Sequence, residues 1–394
     1  MSANRDAARE PDQIKVDALL ADRDVSILLC CGSGGVGKTT TSAALALRAA
    51  EQGRKVVVLT IDPARRLAQS LGIAELDNTP REVTGVDDSA GGSLDAMMLD
   101  MKRTFDDVVL AHATPEKAKQ ILTNPFYQAL STSFAGTQEY MAMEKLGQLH
   151  TEAMRTGRWD LIVVDTPPSR SALDFLDAPE HLSRLLDGRM LRMLLAPARG
   201  PFKLMTVGVN LVTSAMNKIL GSQVLTDVQT FVTAFEALFG GFRQRAQATL
   251  ANLSSDHTRF LVVAAPAKDA LREASFFIDR LAEEQMPLAG LVVNRLHRAP
   301  LDLSAGRTQA LLESDGTAGA EGEDASEAER LGRQALLLHL QRMQVIDTEQ
   351  NRLRRFTASH PDLPVLRLPA MGSDVTALAD LRALGEEMGA AAAP

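Results

Sequence analysis

The run Gly32-Ser33-Gly34-Gly35-Val36-Gly37-Lys38-Thr39 carries the spacing of a complete phosphate-binding loop. Its glycines let successive backbone N–H groups turn toward an anion, Lys38 can reach the outer phosphates, and the Thr39 hydroxyl can coordinate Mg2+. The contacts expected for a nucleoside triphosphate are therefore Gly34, Gly35, Val36, Gly37, Lys38, Thr39 and Thr40. Phosphoryl transfer is mainly positioning and electrostatics, so such a site also needs carboxylates that hold Mg2+ and orient the attacking water. Asp165 directly follows Leu161-Ile162-Val163-Val164, which makes it the expected carboxylate on Mg2+, acting through water, with Thr39 as the other metal contact. Asp62 follows Val56–Ile61 and precedes Pro63-Ala64-Arg65-Arg66, which puts a second acid and a basic pair over the same phosphates. The catalytic set expected from the sequence is thus Asp62, Lys38 and Asp165. Either acid also admits the plainer reading of a solvated strand end or a helix cap.

These residues need a scaffold that delivers all of them to one edge. Continuous apolar runs recur at Ile27–Cys31, Val56–Ile61, Leu161–Val164, Phe260–Ala264, Leu288–Val293 and Val365–Leu368, mostly separated by helical patterns. Unbroken rather than alternating apolarity fits strands buried on both faces. Strands alternating with helices predict an α/β fold, a doubly wound and mostly parallel sheet with its ligand at the carboxyl ends of the strands. Between Ala178 and about Asp256 the pattern is helical, broken by Pro197 and Gly200-Pro201, and reads as an inserted helical subdomain. The expected division is therefore 1–177 as the first part of the nucleotide-binding core, 178–256 as the insertion and 257–394 as the rest of the core. Within the last part, about residues 305–328 are expected as a mobile acidic loop, centred on the Gly, Ala, Ser and acid of Glu313–Ser326. From Glu327 to about Arg355 one long helix is predicted, with Leu331, Ala335, Leu338 and Met343 along a face.

With 394 residues and 45% apolar content the chain can bury a large core with a subdomain. A net charge of −8 disfavours a general nucleic-acid surface, and no nucleic-acid partner is expected. The two cysteines, Cys30 and Cys31, are neighbours on one strand and point to opposite faces, so they read as small apolar core residues. Met1 to Asp24 is polar and of mixed charge, and no run of 18 apolar residues occurs, which leads to an expected cytoplasmic location, or a peripheral one at a membrane.

Ser33-Gly34-Gly35-Val36-Gly37-Lys38-Thr39-Thr40, Thr60-Ile61-Asp62-Pro63-Ala64, Asp165-Thr166-Pro167-Pro168 and Val292-Val293-Asn294-Arg295 together resemble the arsenite-pump (ArsA)-type ATPases. That group includes the eukaryotic tail-anchored-protein targeting ATPase. The resemblance spans nearly the whole chain in order. It implies a dimeric ATPase using ATP and Mg2+, in which Asp62 belongs to the first switch and helps activate water. Asp165 would open the second switch and transmit nucleotide state to the inserted helices, Asn294 would recognise the adenine edge, and Pro369 with Ala370 would line the base pocket. One position departs. Where that family has a signature lysine reaching across the dimer, this chain has Ser33. A paralogous partner could supply the lysine, one of Arg65, Arg66 or Arg170 could replace it, or turnover could be slow. No Cys-x-x-Cys pair is present for an intersubunit zinc and no cysteine cluster for arsenite, so neither zinc nor arsenite pumping is expected.

Gly188 to Thr226 contains five basic residues, Arg189, Arg192, Arg199, Lys203 and Lys218, and no acid. The same span carries Met190, Met193, Met205 and Met216, and Leu204, Gly208, Leu211, Ala215 and Ile219 share a helical face. The stripe admits three readings: a groove for a hydrophobic client, where the resemblance puts it; ordinary core; or a basic amphipathic face on anionic lipid. The function expected overall is an ATP-hydrolysing dimeric switch that handles a hydrophobic client or a membrane-associated partner. The expected dimer is a homodimer or a heterodimer with a paralogous ATPase, and the alternatives are a low-turnover ATP-binding subunit of a hetero-complex with a paralogous ATPase and a MinD- or ParA-like positioning ATPase.

Overall fold

The structure, a computed structural model, describes residues 12–62, 66–125, 127–128, 131, 137–167, 241, 244–313 and 327–390. Its strands are β1 (Ile27–Cys31), β2 (Lys55–Thr60), β3 (Arg81–Glu82), β4 (Ser93–Met98), β5 (Leu161–Asp165), β6 (Thr258–Ala264), β7 (Leu288–Leu296) and β8 (Val365–Pro369). They form one sheet in the order β3-β4-β2-β5-β1-β6-β7-β8. Only β3 runs antiparallel to its neighbour; the other pairs are parallel. This is the doubly wound α/β architecture, and the central position of β1 explains why all of its residues are buried.

The described helices are α1 (Val16–Ala21), α2 (Lys38–Glu51), α3 (Arg66–Ser70), α4 (Met101–His112), α5 (Pro115–Leu122), α6 (Thr137–Thr156), α7 (244–253), α8 (Lys268–Glu283), α9 (Ala305–Glu313), α10 (Glu327–Ser359) and α11 (Leu378–Ala390). Strand alternation sorts the core into two halves. Ile27, Leu29 and Cys31 pack with Phe105 of α4, Leu146 of α6, Phe277 of α8 and Leu353 of α10. Leu28 and Cys30 face the other way, against Ala46 and Leu47 of α2 and Leu381 and Leu384 of α11. Cys30 and Cys31 are therefore buried free thiols on opposite faces, and burial pushes the Cys30 thiol up to about 12.

Three features differ from the sequence reading. Two strands lie outside the six expected: β3 is two exposed residues with no apolar run, and in β4 Asp95 interrupts the run, its carboxylate tolerated because Trp159 Nε1 and Arg158 Nη2 both donate to it, at 2.9 and 2.8 Å. The stretch from 305 is not loop at its start: Ala305–Glu313 is helix α9. Ser304 caps it through Oγ, which accepts from the Arg307 N–H, and fully buried Thr308 anchors it. Residues 314–326 lie outside the described residues. Third, α10 is present, but its buried face is His339, Ile346, Glu349, Leu353 and Phe356, whereas Leu331 and Leu338 are 59% and 66% exposed.

Of the expected insertion, residues 178–240 lie outside the described residues, and with them the basic, methionine-bearing span 188–226. Among the described residues no helix is long and apolar enough to cross a membrane.

Candidate nucleotide site

β1 ends at Cys31 and α2 begins at Lys38, so the loop between them hangs from the middle of the sheet's carboxyl edge. Two of its glycines are required by contact as well as by conformation. Gly37 has φ of 96°, and a Cβ on it would stand 2.3 Å from Asn294 Nδ2. Gly32 has φ of 146°, and a Cβ there would meet the Val263 carbonyl oxygen at 2.1 Å. At Gly35 a Cβ would point into empty space, so the concave side of the loop is open, as an anion cradle needs.

Lys38 is 5% exposed, and its Nζ donates to the Ser33 carbonyl at 2.9 Å, closing the loop on itself. Burial pulls its pKa down, while Asp165 and Asp62 act in the opposite direction. Thr39 Oγ1 donates to Asp165 Oδ2 at 2.7 Å, and Thr60 Oγ1 donates to the same oxygen at 2.9 Å. The parallel register explains this convergence, since Asp165 stands opposite Cys30 of β1 and Thr60 of β2. Asp165 Oδ1 is buried with no hydrogen-bond partner. Asp165 is fully buried and does not itself line the cleft; its orphaned carboxylate oxygen reaches the site through Thr39, which does, and this arrangement fits a carboxylate that acts on a divalent cation through bound water.

A cleft of about 880 Å³ opens over these groups and is lined by Gly35, Gly37, Lys38, Thr39, Thr40 and Asp62 on one side. Asn294, Arg295 and Ala370 line the other, with Met371 to Thr376 following. The cleft thus gathers most of the residues expected from the sequence. Val36 contributes differently, with its side chain in the core and its carbonyl accepting from Asn294 Nδ2 at 2.9 Å. Gly34 is exposed at the loop and does not line the cleft. Pro369 departs from expectation as well. It is the buried end of β8 and borders a neighbouring cleft, leaving Ala370 alone of that pair on the nucleotide side. Of the three arginines considered as a substitute cation, exposed Arg66 lines the cleft, and Arg65 and Arg170 lie outside the described residues.

Sequence reasoning missed Thr60 as a site residue, although it stands in a motif that was read. The observed register puts Thr60, the last residue of β2, opposite Asp165, the last residue of β5, a pairing that the spacing within either motif does not encode. Arg295 was missed too; its φ of 66° is unusual for a residue with a side chain. Its backbone N–H donates to Asn294 Oδ1 at 2.9 Å, which holds both side chains at the mouth of the cleft.

Burial raises the Asp165 pKa to about 6, while the Thr39 and Thr60 hydrogen bonds and the Lys38 charge hold it down. Since its folded pKa lies above its ordinary 3.8, the protonated form favours the fold, and that stabilisation is lost as pH rises through about 6. Asp165→Asn is therefore expected to melt higher than the parent, without nucleotide, at pH 7. The gap should narrow to about half on acidification to pH 5 and close only near the ordinary 3.8, and an equal gap at pH 7 and pH 5 would contradict the assignment. A shift of this size corresponds to at most about 3 kcal/mol.

Residues 25–302 match the family model described as anion-transporting ATPase. The chain is 26% identical over 298 residues to ATPase GET3 of Podospora anserina, covering 74% of this chain and 78% of that protein. It is 26% identical over 288 residues to the ATPase ASNA1 homolog of Cryptosporidium parvum, covering 71% and 67%. An arsenical pump-driving ATPase of Acidiphilium multivorum is 31% identical over 162 residues, which is 41% of this chain and 26% of that protein.

Proposed function

The chain belongs to the ArsA-type anion-transporting ATPase family and is an ATPase, and from that premise we propose a Mg2+-dependent switch, dimeric in its working form, that handles a hydrophobic client. The observation that carries the Mg2+ reading is the unpaired, buried Oδ1 of Asp165 beside Thr39 and Lys38. Thr39 and Asp165 would hold the ion, which when bound neutralises charge on the transferring phosphoryl group. Lys38 would exchange the Ser33 carbonyl for phosphate oxygens, a short swing of its terminal amine. Asp62, at the cleft lip after β2, would orient the attacking water.

ATP as the nucleotide rests on family membership, and Asn294 and Ala370, which line the cleft, would meet its base. The dimer, the client and peripheral membrane contact rest on the sequence resemblance and on the methionine-rich stripe within 178–256. The core boundaries 1–177 and 257–394 are proposed on the same ground. One observation favours a second reading, a low-turnover subunit paired with a paralogous ATPase: position 33 carries no cationic side chain, and its backbone carbonyl accepts from Lys38.

Phosphate release measured with Mg2+ and ATP, with and without EDTA, tests the reading. Purified protein should hydrolyse ATP only with the metal, and Asp62→Asn should keep ATP binding while losing about 10²-fold or more in turnover. Lost ATP binding in Asp62→Asn would make that residue structural or a metal ligand instead. Turnover that appears only after a lysine-bearing paralog is added would favour the second reading.

A further inference from the structure

A second cleft, of about 410 Å³, lies beyond Pro369 from the nucleotide cleft, bounded by the end of β7, by β8 and by α10. Its apolar wall is Leu296, Ile346, Leu353 and Pro369, and around that wall stand Arg298, Arg354 and Arg367. Such a concentration of guanidinium groups is unusual in a chain of net charge −8.

The one carboxylate in the lining is already committed. Glu349 is 6% exposed, and both its oxygens accept from His297, Oε1 from Nδ1 at 2.6 Å and Oε2 from the backbone N–H at 3.0 Å. That pair fixes the chain leaving β7, and the Ala370 N–H, donating to the Leu296 carbonyl at 2.8 Å, ties it to β8. These bonds tie the end of β7 to α10 and to the end of β8. Arg298 pairs with Glu387 at 2.6 Å, outside the cleft lining, and Arg354 donates to the neutral Asn351 Oδ1 at 2.5 Å. Exposed Arg367, on the edge strand, has no ion pair or side-chain hydrogen bond among the described residues. No carboxylate within the cleft answers Arg354 or Arg367.

A partly apolar cleft of this size, lined by Arg354 and Arg367 with no carboxylate partner for either within it, has the character of a small-molecule site rather than of a solvated charge run. We propose that it binds a small organic oxyanion, a carboxylate or phosphate monoester borne on an apolar ring. The ring would lie against Leu353 and Pro369, and the oxyanion would meet Arg367 and Arg354, whose planar forks match carboxylate and phosphate equally.

The test is calorimetric titration of the full chain, first saturated with Mg2+ and ADP so that the phosphate-binding loop cannot capture the probe. Phenyl phosphate and benzoate are the two oxyanion arms, and benzyl alcohol is the neutral control. Saturable binding of one equivalent of either anion, absent for the alcohol, is expected. Arg367→Gln should weaken it about tenfold or more, and the Arg354→Gln/Arg367→Gln double variant should abolish it. Both side chains are exposed, so folding and ADP affinity should stay as in the parent. Failure of both anions to saturate below about 10 mM overturns the proposal. So does anion binding that is undiminished in the double variant.

Discussion

Lys38→Ala is expected to weaken ATP by about 2–5 kcal/mol, roughly 30-fold to several thousandfold, the range for removing one member of a desolvated charge pair. The size follows from what surrounds the amine. Asp165 and Asp62 both act on Lys38 electrostatically, and its side chain is almost fully buried. Without Lys38 an incoming triphosphate meets two carboxylates with no fixed cation between them, and the loop amides alone must offset the charge. Asp165 also loses a charge that holds its pKa down, so proton uptake there should extend to higher pH. Calorimetry with Mg2+ and ATP reads the affinity, and Lys38→Met serves as a second variant that retains an apolar stem. Affinity preserved in both would mean that the nucleotide does not use this loop.

How much of this was legible in the sequence depends on whether a residue's role was local. The loop of 32–39, the strand before it and the helix after it are contiguous, so spacing alone located them, and Asp62 and Asp165 were found because each closes an apolar run. Roles that arise across the fold were harder. On α10 the expected apolar stripe through Leu331 and Leu338 faces solvent, because the buried seam runs through His339 and Glu349, polar residues that an apolar pattern discounts. Each is made tolerable by a partner distant in sequence: the Leu303 carbonyl meets His339 Nε2 at 2.9 Å, and His297 saturates Glu349. β4 was hidden for the same reason, by Asp95 and its partners Arg158 and Trp159. Pro369 shows a finer limit. Pro369, the last residue of β8, borders the neighbouring cleft while Ala370 lines the nucleotide cleft, a division that the motif alone does not show.

Arg54→Met is expected to be among the most destabilising single changes in the molecule, at about 3–5 kcal/mol, although Arg54 is remote from the nucleotide cleft. In the sequence it follows Gln52-Gly53 and looks like an ordinary basic turn residue; in the fold it is 1% exposed. Its guanidinium spends every N–H. Nε donates to Asp160 Oδ1 at 2.6 Å, Nη1 to the Leu20 and Asp22 carbonyls at 3.0 and 2.9 Å, and Nη2 to the Val25 and Asp160 carbonyls at 2.8 and 2.6 Å. These acceptors belong to the end of α1, the entry to β1 and the entry to β5, so one side chain holds three segments around the start of β2. Methionine keeps comparable bulk but leaves buried carbonyls unpaired, each costing about 1–3 kcal/mol before relaxation. Lysine has fewer donors and no planar fork, so Arg54→Lys should recover only part of the loss. Against a typical total of about 5–15 kcal/mol, such a change is a large fraction of the stability. Thermal melting of both variants reads it, with Met melting lowest, Lys between it and the parent, and ATP affinity of the folded fraction unchanged. If Arg54→Met melts with the parent, the guanidinium is dispensable and apolar packing alone fixes the approach to β1 and β5.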